Sequence, residues 1–157
     1  MNDDGAIRVA TEQDIRELLV LFVTHNTAPS TDEKVNRYRE RLDRLVESWD
    51  HHIVVATHDD RVIGYAAAQD YGPANDRDWS IARMHDLWVA PDGRGHGAGT
   101  ALFNAIRDWA IRERSIRVLQ WQSSQVATDF YERLGLGDAS GDGTHFELEV
   151  ALPSTAD

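Results

Sequence analysis

A glycine-rich segment followed at once by an amphipathic pattern is the feature of this sequence that most limits its fold. The segment reads Arg94-Gly95-His96-Gly97-Ala98-Gly99. A mostly apolar run at about 81–89 precedes it and predicts a strand, and apolar residues from Ala98 to Trp109 then recur at helical spacing. A strand, a glycine loop and a helix in this order present free N–H groups and the positive end of a helix dipole in one direction. The segment therefore suits phosphate.

The rest of the chain predicts a mixed α/β fold in a single domain over residues 1–157. Strands are predicted at about 7–10, 53–57, 62–68, 81–89, 115–122 and 145–152. Helices are predicted at about 15–22, 31–49, 98–109 and 126–134, and a polar stretch from Asp70 to Ser80 connects two strands. The predicted order is β-α-α-β-β-β-α-β-α-β, which is not a pure βαβ alternation.

Charge and cysteine content exclude several classes of protein. The net charge of -11 argues against nucleic acid and anionic lipid as partners. There is no cysteine, so disulfides, thiolate metal sites and a cysteinyl intermediate are excluded. The acidic N-terminus has no apolar stretch behind it and no run reaches about 18 apolar residues, so neither a signal peptide nor a membrane span is predicted. A cytoplasmic enzyme or binding protein is the expectation.

Two other phosphate-binding motifs compete for the glycine segment. The P-loop requires a lysine, and the segment contains none. The dinucleotide fingerprint matches in letters over Gly93-x-Gly95-x-x-Ala98, but it also needs an acidic residue at the end of the next strand to hold a ribose. That strand ends in Gln120-Trp121-Gln122-Ser123. A dehydrogenase is therefore the weaker alternative.

Metal binding is not predicted. Residues 138–149 match the letters of a calcium-binding EF-hand loop, but His145 to Val150 alternates like a strand where a helix is required. His51, His52 and His58 lack the i, i+4 spacing that places two imidazoles on one helix face.

Two linked motifs resemble the GNAT superfamily of N-acetyltransferases. Residues 87–102 resemble that family's CoA-binding Arg/Gln-x-x-Gly-x-Gly/Ala loop, and residues 127–136 resemble its Ala-x-x-Phe-Tyr-x-x-x-Gly-Phe segment. The resemblance implies the GNAT fold, with a central mixed and mostly antiparallel sheet flanked by helices. It also implies acetyl-CoA as a co-substrate and an amine as acceptor.

The resemblance assigns cofactor contacts along the chain. In the family the fourth strand splays from the fifth, and the pantetheine arm lies in the gap beside backbone groups of Leu87, Trp88 and Val89. The pyrophosphate would contact N–H groups of Arg94, Gly95, His96, Gly97, Ala98, Gly99 and Thr100. Ser124 stands where relatives often carry Asn, three residues before Ala127. Its hydroxyl is expected to cap the following helix, with one bond to CoA as a second role.

The resemblance also assigns the chemistry. Tyr131 would protonate the departing CoA thiolate. His85 stands where many relatives carry a glutamate base, and imidazole suits that task, although a strand histidine bonded to a neighbour is an equal alternative. Asp86 is expected on the opposite strand face from His85, orienting substrate or pairing with an arginine. With no cysteine, direct attack by the amine is expected, with the oxyanion held by a strand N–H near Leu87.

The resulting expectation is acetyl transfer from acetyl-CoA to a primary amine of a small molecule or a protein. Four carboxylates hint at a cationic acceptor: Asp70, Asp76, Asp78 and Asp86. The alternative is a non-catalytic CoA-binding sensor or interaction module. The sequence leaves the acceptor and the oligomeric state open, a homodimer included.

Overall fold

The computed structural model describes residues 5–25, 31–73, 78–114 and 116–136. They fall into two compact units, Met1–Gln122 and Ser123–Asp157. The predicted strand at 145–152, the EF-hand-like residues 138–149 and Asp76 lie outside the described residues. The single domain over residues 1–157 stays a prediction.

The described residues of the first unit form five strands and three α-helices. The strands are β1 Ala6–Val9, β2 His51–His58, β3 Arg61–Pro73, β4 Ser80–Val89 and β5 Ile116–Gln120. The helices are α1 Ile15–His25, α2 Asp32–Val46 and α3 Ala98–Arg112. The second unit contains α4 Thr128–Arg133, which follows a 3-10 turn at Gln125–Ala127. No helix in the described part of the chain has both the length and the apolar character needed to cross a bilayer.

The five strands form one sheet in the order β1-β2-β3-β4-β5. Every neighbouring pair is antiparallel except β4 and β5, which are parallel. This confirms the mixed, mostly antiparallel sheet. The connection predicted to begin at Asp70 is wrong at its start, because β3 continues to Pro73 and Asp70 pairs with Ala82. Pairing across the sheet holds these polar residues in a strand that their composition does not suggest.

Helices cover both faces of the sheet. The helices α1 and α2 pack on one face, where the buried side chains include Leu18, Leu42, Val55 and Tyr65. The helix α3 packs on the other face, where His52 of β2 stacks on Trp109 at 4.9 Å between ring centroids. Burying an aliphatic or aromatic side chain contributes about 1.5–3 kcal/mol, so these two layers hold the sheet between them.

Two departures of the strand β4 from regular pairing bear on the site. Ala67 of β3 pairs with Asp86, whereas the next residue, Ala68, pairs with Met84. One extra residue, His85, is therefore accommodated in β4, which is the definition of a β-bulge. On its other side, β4 pairs with β5 only as far as Arg83, opposite Gln120. The end of β4 thus runs on without a partner in β5, as the predicted splay requires.

Candidate functional site

The glycine loop begins with a tight turn against β3. Pro91–Gly93 forms a 3-10 turn, closed by the Gly93 N–H donating to the Ala90 carbonyl at 2.9 Å. A Cβ on Gly93 would lie 3.1 Å from Cβ and Cδ1 of Ile63, so this glycine is needed for close packing. Gly95 and Gly97 follow with φ of +84° and +85°. Glycine adopts such values without steric cost, whereas a residue with a Cβ rarely does, so both positions favour glycine.

The start of α3 leaves backbone donors outside the helical ladder. Gly97 is the N-cap, and the first bond runs from the Ala101 N–H to the Gly97 carbonyl at 3.0 Å. The N–H groups of Ala98, Gly99 and Thr100 therefore precede the ladder. A Cβ on Gly95 or Gly97 would meet nothing within 4 Å. The loop therefore faces open space, and these donors together with the helix dipole suit an anion.

A cavity of about 440 Å³ borders the same loop. Its walls come from β1, the turn between β2 and β3, and the loop itself, and they include Ile7, Thr57, Arg61, Ile63, His96, Gly97 and Ala98. The predicted residues His96, Gly97 and Ala98 thus line empty volume, which leaves this part of the loop accessible to a ligand.

Arg94 is directed back toward the end of β4. Its Nε donates to the Val89 carbonyl at 2.9 Å, and its guanidinium lies 6.0 Å from the centre of the Trp88 ring. Trp88 also meets the His25 ring edge-on at 5.4 Å. The arginine therefore connects the loop to the end of β4. This end, which includes Leu87, has no partner in β5. The predicted cofactor residues of β4 and of the loop are brought together.

The bulge places His85 and Asp86 side by side. Nδ1 of His85 lies 2.8 Å from Oδ2 of Asp86, and both side chains are about one third exposed. The prediction that they occupy opposite strand faces is wrong. Consecutive side chains alternate only where a strand is regular, and the bulge at His85 removes that alternation. Because a carboxylate can only accept, Nδ1 carries the proton in this contact, and in the neutral form of the ring Nε2 is the acceptor.

A second histidine–aspartate pair faces the first. The rings of His51 and His85 meet edge-on at 5.9 Å between centroids, and Nδ1 of His51 lies 3.3 Å from Oδ1 of Asp50. Hydrogen bonds from Ser48 and His51 hold the pKa of Asp50 at about 2, with a further contribution from Gln69. The described residues offer no group of three or more His, Cys, Asp or Glu side chains arranged for a metal ion.

The position of His51 beside His85 could not be predicted from the sequence. The two residues lie on β2 and β4, which are separated by β3 in the sheet. Only the pairing register of β2 and β4 against β3 brings their two rings together. Tyr65 of β3 is a further residue of this region that carries no sequence motif, and its hydroxyl is buried.

The second unit holds the remaining predicted residues. Tyr131 lies on α4, is buried, and meets Phe130 edge-on at 5.0 Å. Burial raises the pKa of its phenol. Gly135 ends the helical segment with φ of +75°, as predicted. Ser124 occupies the N-cap position before Gln125–Ala127, but its hydroxyl makes no capping bond there, so the expected cap is wrong. The Ser124 carbonyl accepts from the Ala127 N–H at 2.9 Å instead.

Comparison with known proteins identifies relatives of the whole described region. The model of the acetyltransferase (GNAT) family matches residues 6–136. An uncharacterized N-acetyltransferase of Methanocaldococcus jannaschii is 34% identical over 76 residues, which is 46% of this chain and 33% of that protein. The match thus spans about a third of the curated relative's length.

Solved structures share the fold. A ribosomal-protein-alanine N-acetyltransferase from Brucella melitensis biovar Abortus 2308 is 21% identical with a TM-score of 0.71, covering 93% of this chain and 99% of that one. An aminoglycoside N-acetyltransferase in complex with CoA is 17% identical with a TM-score of 0.74, covering 96% and 98%. At these identities the likeness establishes the fold alone.

Proposed function

This chain belongs to the acetyltransferase (GNAT) family, and we propose that it transfers an acetyl group from acetyl-CoA directly to a primary amine. The observation that carries the proposal is the His85–Asp86 pair, which presents a free imidazole nitrogen on the strand that leads into the glycine loop. A base beside a phosphate-binding loop supports amine chemistry on a CoA thioester.

The glycine loop binds the pyrophosphate of CoA in this proposal. Three observations support it: the left-handed glycines Gly95 and Gly97, the free N–H groups at the start of α3, and the open space beside them. The proposed donors are the backbone groups of Arg94, Gly95, His96, Gly97, Ala98, Gly99 and Thr100. The end of β4 that has no β5 partner holds the pantetheine arm through Leu87, Trp88 and Val89. Ser124 and Ala127 add contacts by family resemblance. A CoA complex of a structural neighbour supports this donor class.

His85 acts as the base. An aliphatic amine with a pKa near 10.4 is only about 0.04% neutral at pH 7, so removing its proton is part of the reaction. The neutral amine attacks the thioester carbon, the C–N bond forms and the C–S bond breaks. Before the attack, His85 takes one proton of the substrate ammonium at Nε2, while Asp86 holds Nδ1–H and stabilises the imidazolium. After the attack, the second proton on the nitrogen leaves to water, from which the Tyr131 phenolate regains the proton given to the thiolate. A backbone N–H near Leu87 stabilises the oxyanion.

Tyr131 supplies the proton to the departing thiolate. The raised pKa of its buried phenol keeps it protonated at neutral pH, which a donor requires. Its place in the segment 127–136 is the reason for assigning it this role.

The acceptor belongs to the primary amines. The structural neighbours include a ribosomal-protein-alanine N-acetyltransferase and an aminoglycoside N-acetyltransferase, so both protein and small-molecule acceptors occur among proteins with this fold. Asp86 and the net charge of -11 favour an acceptor that carries positive charge. A panel of cationic and neutral amines separates these classes.

A thiol-release assay with acetyl-CoA and that panel tests the function. We expect one or more amines to be acetylated, with release of the CoA thiol and a mass gain of about 42 Da, which is the acetyl group less the hydrogen that it replaces. Calorimetry with CoA, run in parallel, separates binding from transfer. CoA binding without transfer to any amine would leave a sensor or interaction module as the function.

The Tyr131→Phe variant tests the acid. We expect kcat to fall about 100-fold, in the range of general acid catalysis, while KM for acetyl-CoA stays within about twofold. Tyr71→Phe, which alters an exposed tyrosine of β3, is the matched control and should retain wild-type turnover. Unchanged turnover in Tyr131→Phe would exclude the proposed role.

A further inference from the structure

The hydroxyl of Tyr65 is a buried donor without a partner. Tyr65 is fully buried, and no residue in the described ranges accepts a hydrogen bond from its hydroxyl. Leaving such a group unpaired costs the free energy of taking it out of water. Phenylalanine would fill the same volume against Phe22, whose ring centroid lies 4.4 Å away, without that cost. The ring alone therefore does not account for a tyrosine at this position.

The surroundings of the hydroxyl point to Asp86. Tyr65 pairs with Trp88 across β3 and β4, and Ala67, two residues further along β3, pairs with Asp86. Tyr65 and Asp86 are therefore diagonal neighbours on one sheet face, a separation that long side chains bridge. Burial raises the pKa of Tyr65, with smaller contributions from Asp86 and Tyr38, so its hydroxyl remains protonated. It can donate and it does not ionise.

Asp86 has the capacity to accept a second bond. Its Oδ2 accepts from Nδ1 of His85, and a carboxylate has about four lone-pair sites. The carboxylate of Asp50, by contrast, contacts three side chains, which are those of Ser48, His51 and Gln69. With one partner, Asp86 can rotate about its side-chain bonds. A second donor would remove that freedom and hold His85 in one orientation.

We propose that Tyr65 is a positioning residue, whose hydroxyl donates to the Asp86 carboxylate in the substrate-bound enzyme, directly or through one water. The inference rests on the proposed function, in which His85 is the base. No proton moves between Tyr65 and Asp86. The hydroxyl restrains the carboxylate, the carboxylate restrains Nδ1–H of His85, and Nε2 is held toward the amine.

The test is a double-mutant cycle of Tyr65→Phe and Asp86→Ala. In the wild-type background, Tyr65→Phe should lower kcat about tenfold, within the range of couplings between contacting residues, and leave KM for acetyl-CoA unchanged. In the Asp86→Ala background, the same change should alter kcat less than about twofold, because the group through which it acts is gone.

Thermal unfolding distinguishes positioning from a structural role. The Tm of Tyr65→Phe should equal or exceed that of the wild type, because an unpaired buried hydroxyl has been removed. A lower Tm, a wild-type kcat in Tyr65→Phe, or an equal loss in both backgrounds would overturn the inference. If the wild-type protein transfers no acetyl group to any amine, the proposed function fails, and the inference fails with it.

Discussion

The strands β2 and β4 each carry two consecutive polar residues, and they present them differently. In β2, His51 meets the His85 ring, while His52 lies on the opposite face and stacks on Trp109. In β4, His85 and Asp86 share one side and form a 2.8 Å contact. Both strands pair with β3, and the difference is the extra residue in β4. A regular strand separates neighbouring side chains, whereas a bulge can bring them together.

The two histidine–aspartate pairs also differ in how firmly their carboxylates are held. Asp50 is held by several donors and has a pKa of about 2, so it is a fixed anchor at the start of β2. Asp86 contacts only His85 among the hydrogen bonds of the described residues and is about one third exposed. We infer that the first pair supports the fold and that the second performs chemistry.

Exchanging each histidine for glutamine is the strongest test of this contrast. We expect His85→Gln to lower kcat about 100-fold, because the proposed base is lost. His51→Gln should change kcat less than about fivefold, since His51 touches only the edge of the His85 ring. The measurement is steady-state kinetics with the best amine of the panel, and equal losses in the two variants would contradict the division of roles.

Replacing each aspartate by asparagine should affect stability in the opposite order, with the larger loss in the pair that contains His51. We expect Asp50→Asn to lower the free energy of unfolding by about 1 kcal/mol, because charge-assisted hydrogen bonds are weakened. Asp86→Asn should lower it by less than about 0.5 kcal/mol, because fewer bonds are affected. Urea unfolding at pH 7 measures both values. A larger loss in Asp86→Asn would contradict the anchor role of Asp50.

The pH dependence of the Asp50→Asn effect provides its control. The folded pKa of Asp50, about 2, lies below its ordinary value of 3.8. Its carboxylate therefore contributes stability that is fully present above about pH 4 and is lost as the pH falls through about 2. The difference in the free energy of unfolding between wild type and Asp50→Asn should therefore decrease as the pH falls from about 4 to about 2. A difference that does not change with pH would show that the charge of the carboxylate is not the cause of the stabilisation.

The smallest expected effect is the pH dependence of stability that comes from His52, which lies on the other face of β2. Burial lowers the pKa of His52 below its ordinary value of 6.5. The unfolded chain then binds a proton more readily, so wild-type stability should fall as the pH drops below about 6.5. The slope should stay below the roughly 1.4 kcal/mol per pH unit of one full proton. Urea titrations from pH 7 to 5 should show a flatter profile in His52→Phe, and an unchanged profile would contradict this origin.

Much of the fold was predictable because its signals are local. The helix α3 follows from apolar spacing, and the loop before it follows from glycines that adopt positive φ. The family followed from two short motifs, and the matching family model covers both. The extension of β3 to Pro73 was missed, because it depends on pairing with a distant strand rather than on its own composition.

The sequence by itself determined the family, the order of the elements as far as α4 and the glycine loop, since glycine conformation and helical periodicity depend on near neighbours. Only the tertiary structure decided which side chains meet at the end of β4. The sequence pattern placed His85 and Asp86 on opposite faces, and the register of β3 against β4 brought them together. The same register made Tyr65, whose hydroxyl is buried, a diagonal neighbour of Asp86 in the sheet. Register is a relation between segments distant in the chain, so it appears only when the sheet is formed.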